Sequence, residues 1–243
     1  YDLSRASCAA DACDAGGAVQ VADASVPTGA WAAGCDVKRI DIHERLDLAE
    51  LRPAAIAFNI VHGSYGEDGQ LQRVLDEAGV CYVGSDAAVS ELCMDKTKTK
   101  SVLKRNHLPV PAGMQVSLKK VFDPRTLKME TLTGLVLKPA VGGSSLGLHI
   151  IPSASFILPA IEEIIKNLGP IDIIIEECID GPEYTVALIE DENGVRALPP
   201  ICITANEGNY DFEAKYNRDD TDYKIIADAA LVHKLQDLAE RSY

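Results

Sequence analysis

From Gly34 onward the chain carries readable hydrophobic periods. Val37 to Ile42 alternates apolar and polar positions as a strand does, and Ala55 to Val61 is an apolar run of buried-strand length. Leu71, Val74, Leu75 and Ala78 recur at i, i+3, i+4 and i+7 and stop at Gly79, which predicts a helix with a glycine end. Cys81 to Val83 reads as another short strand. Ser85 or Asp86 can cap a helix that passes through Val89, Leu92 and Cys93 and runs on to Leu103. Strands alternating with helices imply a parallel α/β layer up to about residue 95. The first twenty or so residues, rich in Ala, Asp and Gly, carry neither period and predict no element.

Leu108 to Pro111 contains two prolines, which end the helix and mark a domain border. The pattern then changes. Leu135 to Lys138 is a strand leading into the glycine and serine segment Val141 to Gly147, after which His149 to Ile151 resumes extended chain. Ile157, Leu158, Ile161, Ile164, Ile165 and Leu168 form one apolar helical face ending at Gly169 and Pro170. Ile171 to Glu177 is aliphatic and then abruptly acidic. Glu183 to Ile189 and Val195 to Ile203, joined through Glu192, Asn193 and Gly194, predict a hairpin with Asn-Gly as the turn. This second half reads as α+β and mostly antiparallel. Asn206 to Tyr223 is polar and long for a simple connection, so a moving lid is expected there.

Composition narrows the class. With 47% hydrophobic and 25% charged residues in 243 positions, the chain has the balance of a folded globular protein. No apolar run reaches the roughly 18 to 20 residues that span a bilayer, so no membrane partner is expected. Lys and Arg total 23 against 37 Asp and Glu, a net charge of −14, which excludes a broad nucleic-acid surface. An anionic ligand must therefore be met by individually placed lysines. The seven cysteines, Cys8, Cys13, Cys35, Cys81, Cys93, Cys178 and Cys202, are odd in number and form no CxxC pair; reduced, buried side chains and a cytoplasmic setting are expected. The chain opens at Tyr1 without a signal segment and stops at Tyr243 inside an apparent helix, so both ends read as cut.

Three segments can carry chemistry. Gly142, Gly143, Ser144, Ser145, Leu146 and Gly147 follow a strand ending in Lys138; such a loop lets backbone N–H groups, hydroxyls and a lysine meet a phosphate. It lacks the Gly-Lys-Ser/Thr ending of a Walker A loop, and a Gly/Ser loop is equally the turn of a plain hairpin. Glu176, Glu177, Cys178 and Ile179 end a buried strand, with Glu183 after Gly181-Pro182. Carboxylates and exposed backbone there can bond an adenine edge and ribose hydroxyls, or can simply be a solvated strand end. His62-Gly63 follows an apolar strand, at the carboxyl end where α/β sheets bind ligands, although a lone histidine is often structural.

Read together, these segments resemble the D-alanine–D-alanine ligase family of the ATP-grasp superfamily. The resemblance rests on His62-Gly63 with Gly66-Glu67-Asp68-Gly69, Tyr82-Val83-Gly84-Ser85, Met94-Asp95-Lys96, Lys138-Pro139 and Gly143-Ser144-Ser145-Leu146-Gly147. It continues through Glu176-Glu177, Gly181-Pro182-Glu183-Tyr184-Thr185-Val186 and Tyr210-Asp211-Phe212-Glu213-Ala214-Lys215-Tyr216, in order, from roughly Gly34 to the end. It implies an ATP-grasp architecture, α/β plus α+β: an N-terminal parallel α/β substrate domain over 1–95, a central subdomain over 96–180 and an incomplete C-terminal subdomain over 181–243. It also implies ATP-dependent joining of two D-alanines through an acyl phosphate, for peptidoglycan, in a cytoplasmic homodimer. Lys96 and Lys138 would hold the α- and β-phosphates, Lys215 the γ-phosphate, with the loop of Gly143, Ser144 and Ser145 covering them. Glu176 would take the adenine amino group, the backbone of Glu177 and Ile179 the rest of that edge, and Glu183 the ribose. His62 and Gly63 would flank the first D-alanine. Ser144 and Tyr216 would join the two loops over the substrates.

Two departures from the family accompany the match. Gly16-Gly17-Ala18-Val19-Gln20 occupies the place of a Glu-x-Ser-Leu segment, without the glutamate that orients the first amine. The family's ligands for Mg2+ are expected beyond Tyr243, and the chain taken alone is expected to be inactive and poorly soluble. The alternatives within this reading are an impaired ATP-binding homologue and a ligase that joins D-alanine to another D-residue; Tyr216 favours the dipeptide.

Overall fold

Short strands and a glycine-bounded helix assemble the first part of the chain into a parallel layer. The computed structural model describes residues 18–21, 37–40, 42, 56–120, 134–143, 145–205, 219 and 221–243. The chain divides into two compact units, one of residues 1–94 with the turn 191–193, the other of residues 95–190 with 194–243.

In the first unit, strands β1 (Ala18–Val21), β2 (Val37–Ile40), β3 (Ile56–Asn59) and β4 (Cys81–Val83) form a parallel sheet in the order β2-β1-β3-β4. Helix α1 (Gln70–Ala78) connects β3 to β4. Leu71 and Leu75, one turn apart, are fully buried with Ile40, Ala57 and Val80. The helix stops at Gly79, whose positive φ lets its N–H reach back to Leu75 and Asp76 carbonyls. β1 falls in the opening stretch that carries no legible period, yet it lies between β2 and β3. Its Val19-Gln20-Val21 alternates, but over too few positions to stand out from its surroundings, and pairing with a strand on each edge is what defines it.

The helix expected to run on to Leu103 is instead two. Helix α2 (Ala87–Met94) has Asp86 accepting from the Val89 N–H at 2.8 Å, and α3 (Lys96–Arg105) begins immediately after Asp95. Asp95 is extended, its carboxylate accepts from the N–H groups of Thr97 and Lys98, and its backbone bridges to Val141. A side chain that caps the next turn removes its own residue from helical geometry, and this breaks the run.

The second unit contains an antiparallel sheet of β5 (Gly113–Ser117), β6 (Leu135–Pro139), β7 (His149–Ile151) and β8 (Asp172–Glu177), in the order β5-β8-β6-β7. Helix α4 (Ile157–Leu168) covers one face. Its Ile157, Ala160, Ile161 and Ile164 pack with Val116, Leu135, Leu137, Ile151, Ile173 and Ile175 into a core. The expected apolar stripe is wider than the buried one: Leu158 and Ile165 lie to one side of this line, Leu168 continues it as the helix's last residue, and all three stay 40–48% exposed.

The expected long hairpin also divides. β10 (Leu188–Asp191) and β11 (Gly194–Ala197) pair around Asn193, whereas β9 (Glu183–Thr185) pairs with β12 (Ile201–Ala205) and β12 with β13 (Thr221–Ile225). The strand β13 takes Thr221 to Tyr223 out of the expected lid; residues 206–218 of that segment lie outside the described residues. Helix α5 (Ala229–Ser242), capped by Asp228, holds β11 through Glu240 and Gln236, which bond the backbone of Ala197 and Leu198. The four described cysteines are not buried as expected. Cys93 is exposed on α2 and Cys81, Cys178 and Cys202 are half-buried, because short strands and their exits leave one side open. Cys8, Cys13 and Cys35 lie outside the described residues. Among the described residues, no helix is long and apolar enough to cross a membrane.

Candidate functional site

The two-residue period of β6 and β8 separates packing from chemistry. Leu135, Leu137, Ile173 and Ile175 enter the core under α4, so Lys138, Ile174 and Glu176 must face the other way. The register confirms the face: Val136 pairs with Glu176 and Lys138 with Ile174, which makes Lys138 and Glu176 diagonal neighbours. β5 brings Gly113 opposite Glu176. A Cβ there would lie 2.4 Å from the Ile175 carbonyl oxygen and 2.9 Å from Glu176 Cγ, so only glycine lets the two strands close over this carboxylate.

Glu176 is 3% exposed and carries an ion pair on each oxygen. Lys138 Nζ stands 2.7 Å from Oε2, and Lys100 Nζ bonds Oε1. Burial pushes the Glu176 carboxyl up, but the bonds and charges of Lys100 and Lys138 outweigh it and hold the group below the ordinary glutamate range. Lys100 comes from α3, one turn after Lys96. The N-terminus of that helix is docked by the Lys96 N–H on the Ala140 carbonyl at 2.9 Å, and Lys96 Nζ donates to the Gly142 carbonyl at 2.6 Å. Burial lowers the Lys96 pKa, Lys138 lowers it further, and Glu176 and Asp95 only partly oppose them. Three lysines around one buried carboxylate leave an excess of positive charge beside the glycine loop, in a chain whose net charge is −14. Such a place favours an anion.

The loop after β6 turns tightly. Gly142 and Gly147 have positive φ, Ser145 has φ 58°, and the Leu146 and Leu148 N–H groups reach back to Gly143 and Ser145. At Gly147 a Cβ would meet Leu168 Cδ1 at 2.8 Å and the Pro139 ring just beyond 3 Å, so the position demands glycine on two counts.

The structure brings Lys96, Lys138 and Glu176 together, beside the loop of Gly143 and Ser145. Glu177, next along β8, points to the opposite face, where its Oε1 accepts from the Ala112 N–H at 2.7 Å. Ile179 follows the strand and is 67% exposed; Glu183 opens β9, exposed, paired with Ile203. Ser144, Lys215 and Tyr216 lie outside the described residues. His62 and Gly63 belong to the first unit, in a turn closed by Glu67, whose Oε2 accepts from the Gly63 N–H at 2.7 Å and whose Oε1 is 3.9 Å from His62 Nδ1. Asp68 finishes that turn by accepting from Tyr65 and Gln70; burial raises its pKa, but these bonds hold it below the ordinary value. Lys100 was absent from the reading of the sequence. Its spacing of four from Lys96 in Asp-Lys-Thr-Lys-Thr-Lys is the signal that could have found it. Among the described residues no group of three His, Cys, Asp or Glu side chains converges, so these residues do not fit Mg2+.

Comparison with known proteins accords with this arrangement. The family model described as D-ala D-ala ligase C-terminus matches residues 102–243, and the one described as D-ala D-ala ligase N-terminus matches residues 14–85. The chain is 36% identical over 214 residues to a D-alanine–D-alanine ligase of Pseudomonas putida, covering 86% of this chain and 64% of that protein. A similar protein of Marinobacter nauticus is 39% identical over 69% of this chain and 49% of its own length. The chain thus spans between about half and two thirds of the curated relatives it matches. The crystal structure of D-alanine–D-alanine ligase from Bacillus anthracis superposes with a TM-score of 0.74 at 26% identity, covering 93% of this chain and 78% of that one. The fold is that of the ATP-grasp ligases, and the two family matches together take in both units: the chain belongs to the D-alanine–D-alanine ligase family.

Proposed function

We propose that this chain holds ATP on the sheet face of Lys138 and Glu176 and serves an ADP-forming ligase that makes D-alanyl-D-alanine. The single observation that carries the reading is the buried Glu176 set among Lys96, Lys100 and Lys138 beside a glycine loop. A carboxylate is a poor electrophile. In the proposed reaction a carboxylate oxygen of the first D-alanine attacks the γ-phosphorus and ADP leaves. The amine of the second D-alanine then attacks the acyl carbon, loses a proton, and phosphate departs. Catalysis of this kind is mainly positioning and charge neutralisation, for which lysines suit. Lys96 and Lys138 take the α- and β-phosphates and Lys215 the γ-phosphate. The loop of Gly143, Ser144 and Ser145 covers them, and Tyr216 meets Ser144 over the substrates. Glu176 accepts from the adenine amino group, the backbone of Glu177 and Ile179 completes that edge, and Glu183 takes the ribose. His62 and Gly63 flank the first D-alanine.

The proposal includes the division into 1–95, 96–180 and 181–243, use of Mg2+ on ligands other than the described residues, and a cytoplasmic homodimer without nucleic acid, the last supported by the net charge of −14. The test is coupled ADP release by the full gene product with ATP and D-alanine, with the dipeptide identified by chromatography. D-Alanine-dependent ADP release is expected, with Lys215→Ala reducing it about 100-fold or more, as for a lost transition-state contact. ATP turnover indifferent to D-alanine, or unaffected by Lys215→Ala, would remove the reading.

A further inference from the structure

Lys100 is assigned no nucleotide contact above, yet it is the more deeply buried partner of Glu176. Its side chain is 16% exposed, against 26% for Lys138. It is also anchored twice, to Glu176 Oε1 and to the Pro111 carbonyl at 2.9 Å, where the chain enters β5. The next residue, Ala112, donates its N–H to Glu177, so the segment leading into β5 is tied to the end of β8 on both faces. Lys98, two residues before Lys100, lies off this face and sits exposed 3.7 Å from Asp95. Helical spacing thus selects Lys96 and Lys100, and not Lys98, for the sheet.

The two lysines on Glu176 differ in what else they can do. Lys138 stands at the end of β6, directly before the glycine loop, and a flexible ammonium there can turn toward a phosphate. Lys100 rises from the middle of a helix onto a backbone carbonyl that fixes it. We propose that Lys100 is a positioning residue. It grips Glu176 through Oε1 and leaves Oε2 to accept from the exocyclic amino group of a 6-aminopurine, while Lys138 serves the phosphates. The inference rests on the nucleotide reading above and adds a determinant of base selectivity to it.

Among the described residues the charges facing Glu176 are Lys96 and Lys100 from α3 and Lys138 from β6; β5 contributes Gly113, and Glu177 points away. If Lys138 turns to phosphate, Lys100 is the bonded cation that remains. Without Lys100, burial would push the carboxyl upward, and a protonated Glu176 presents an O–H where the amino group needs an acceptor.

The experiment measures binding of ATP and of ITP, which has a 6-oxo group in place of the amino group, to the full chain by calorimetry between pH 5 and pH 8. Wild type should prefer ATP. K100M should lower the ATP-to-ITP preference about tenfold, chiefly by weakening ATP, and its ATP affinity should begin to fall at a higher pH than that of wild type. K100R should restore both. K138M should weaken the two nucleotides alike and keep their ratio. An unchanged ratio and pH profile in K100M would overturn the inference while leaving the nucleotide reading intact. So would a ratio lost in K138M, which decides the matter even where K100M does not fold. Failure of wild type to bind either nucleotide would overturn the nucleotide reading and this inference together.

Discussion

Replacing Glu176 with Gln keeps the shape of the side chain and removes its charge, and the structure fixes what that should cost. Lys100 and Lys138 each lose an ion pair, and at 16% and 26% exposure neither can fully replace it with water. Hydrogen bonds to charged groups contribute about 1.5–3 kcal/mol each, and the glutamine carbonyl still accepts one bond from an ammonium. The repulsion between Lys96 and Lys138 is also no longer offset. A net loss of about 2–4 kcal/mol is expected at pH 7, just under the range for breaking a buried pair. The pH dependence has a defined sign. The folded-state pKa of Glu176 is depressed, so its stabilisation is present above the unfolded-state carboxylate range and disappears as pH falls through the lowered value. Wild type and E176Q should therefore differ most at neutral pH and converge in acid. The assay is urea-dependent amide exchange read at β6 and β8, which isolates this sheet within a chain of two units. A gap below about 0.5 kcal/mol at pH 7, typical of exposed pairs, would refute the reasoning. A gap as large at pH 3 as at pH 7 would do the same.

Three further substitutions probe the scaffold of the same face. Gly113→Ala should destabilise by about 1–3 kcal/mol and weaken ATP binding, because the new methyl meets the Ile175 carbonyl and Glu176; calorimetry and urea titration together check it, and unaltered ATP affinity would count against the close approach of the strands. Leu137→Ala, at a fully buried position, should cost about 2–5 kcal/mol in urea titration, with a loss under 1 kcal/mol contradicting the packing under α4. Asp95→Ala should remove the cap of α3 at a cost of about 1 kcal/mol and loosen Lys96; faster amide exchange at Thr97 and Lys98 is the readout, and Asp95→Asn should retain most of the protection.

Local periodicity was sufficient wherever an element packs by its own repeat. Leu71 and Leu75 with the stop at Gly79 specify α1, and the aliphatic run into Glu176 specifies a buried strand with an acidic end. Ordered short motifs mark Lys96, Lys138 and Glu176 as one set, because the order and spacing of motifs record a shared site even when its contacts are unknown. What the sequence could not supply depends on partners distant along the chain. β1 is too short for a legible period and is defined by β2 and β3, which pair with both its edges. The Asn193-Gly194 turn is legible, but only pairing with β12 decides that β9 leaves that hairpin for another sheet. Lys100 looks like one more lysine of a polar helix until α3 is docked on the sheet. A period states which residues share a face, while the burial of Glu176, the direction of its pKa and the lysine that holds it follow only from what that face is packed against.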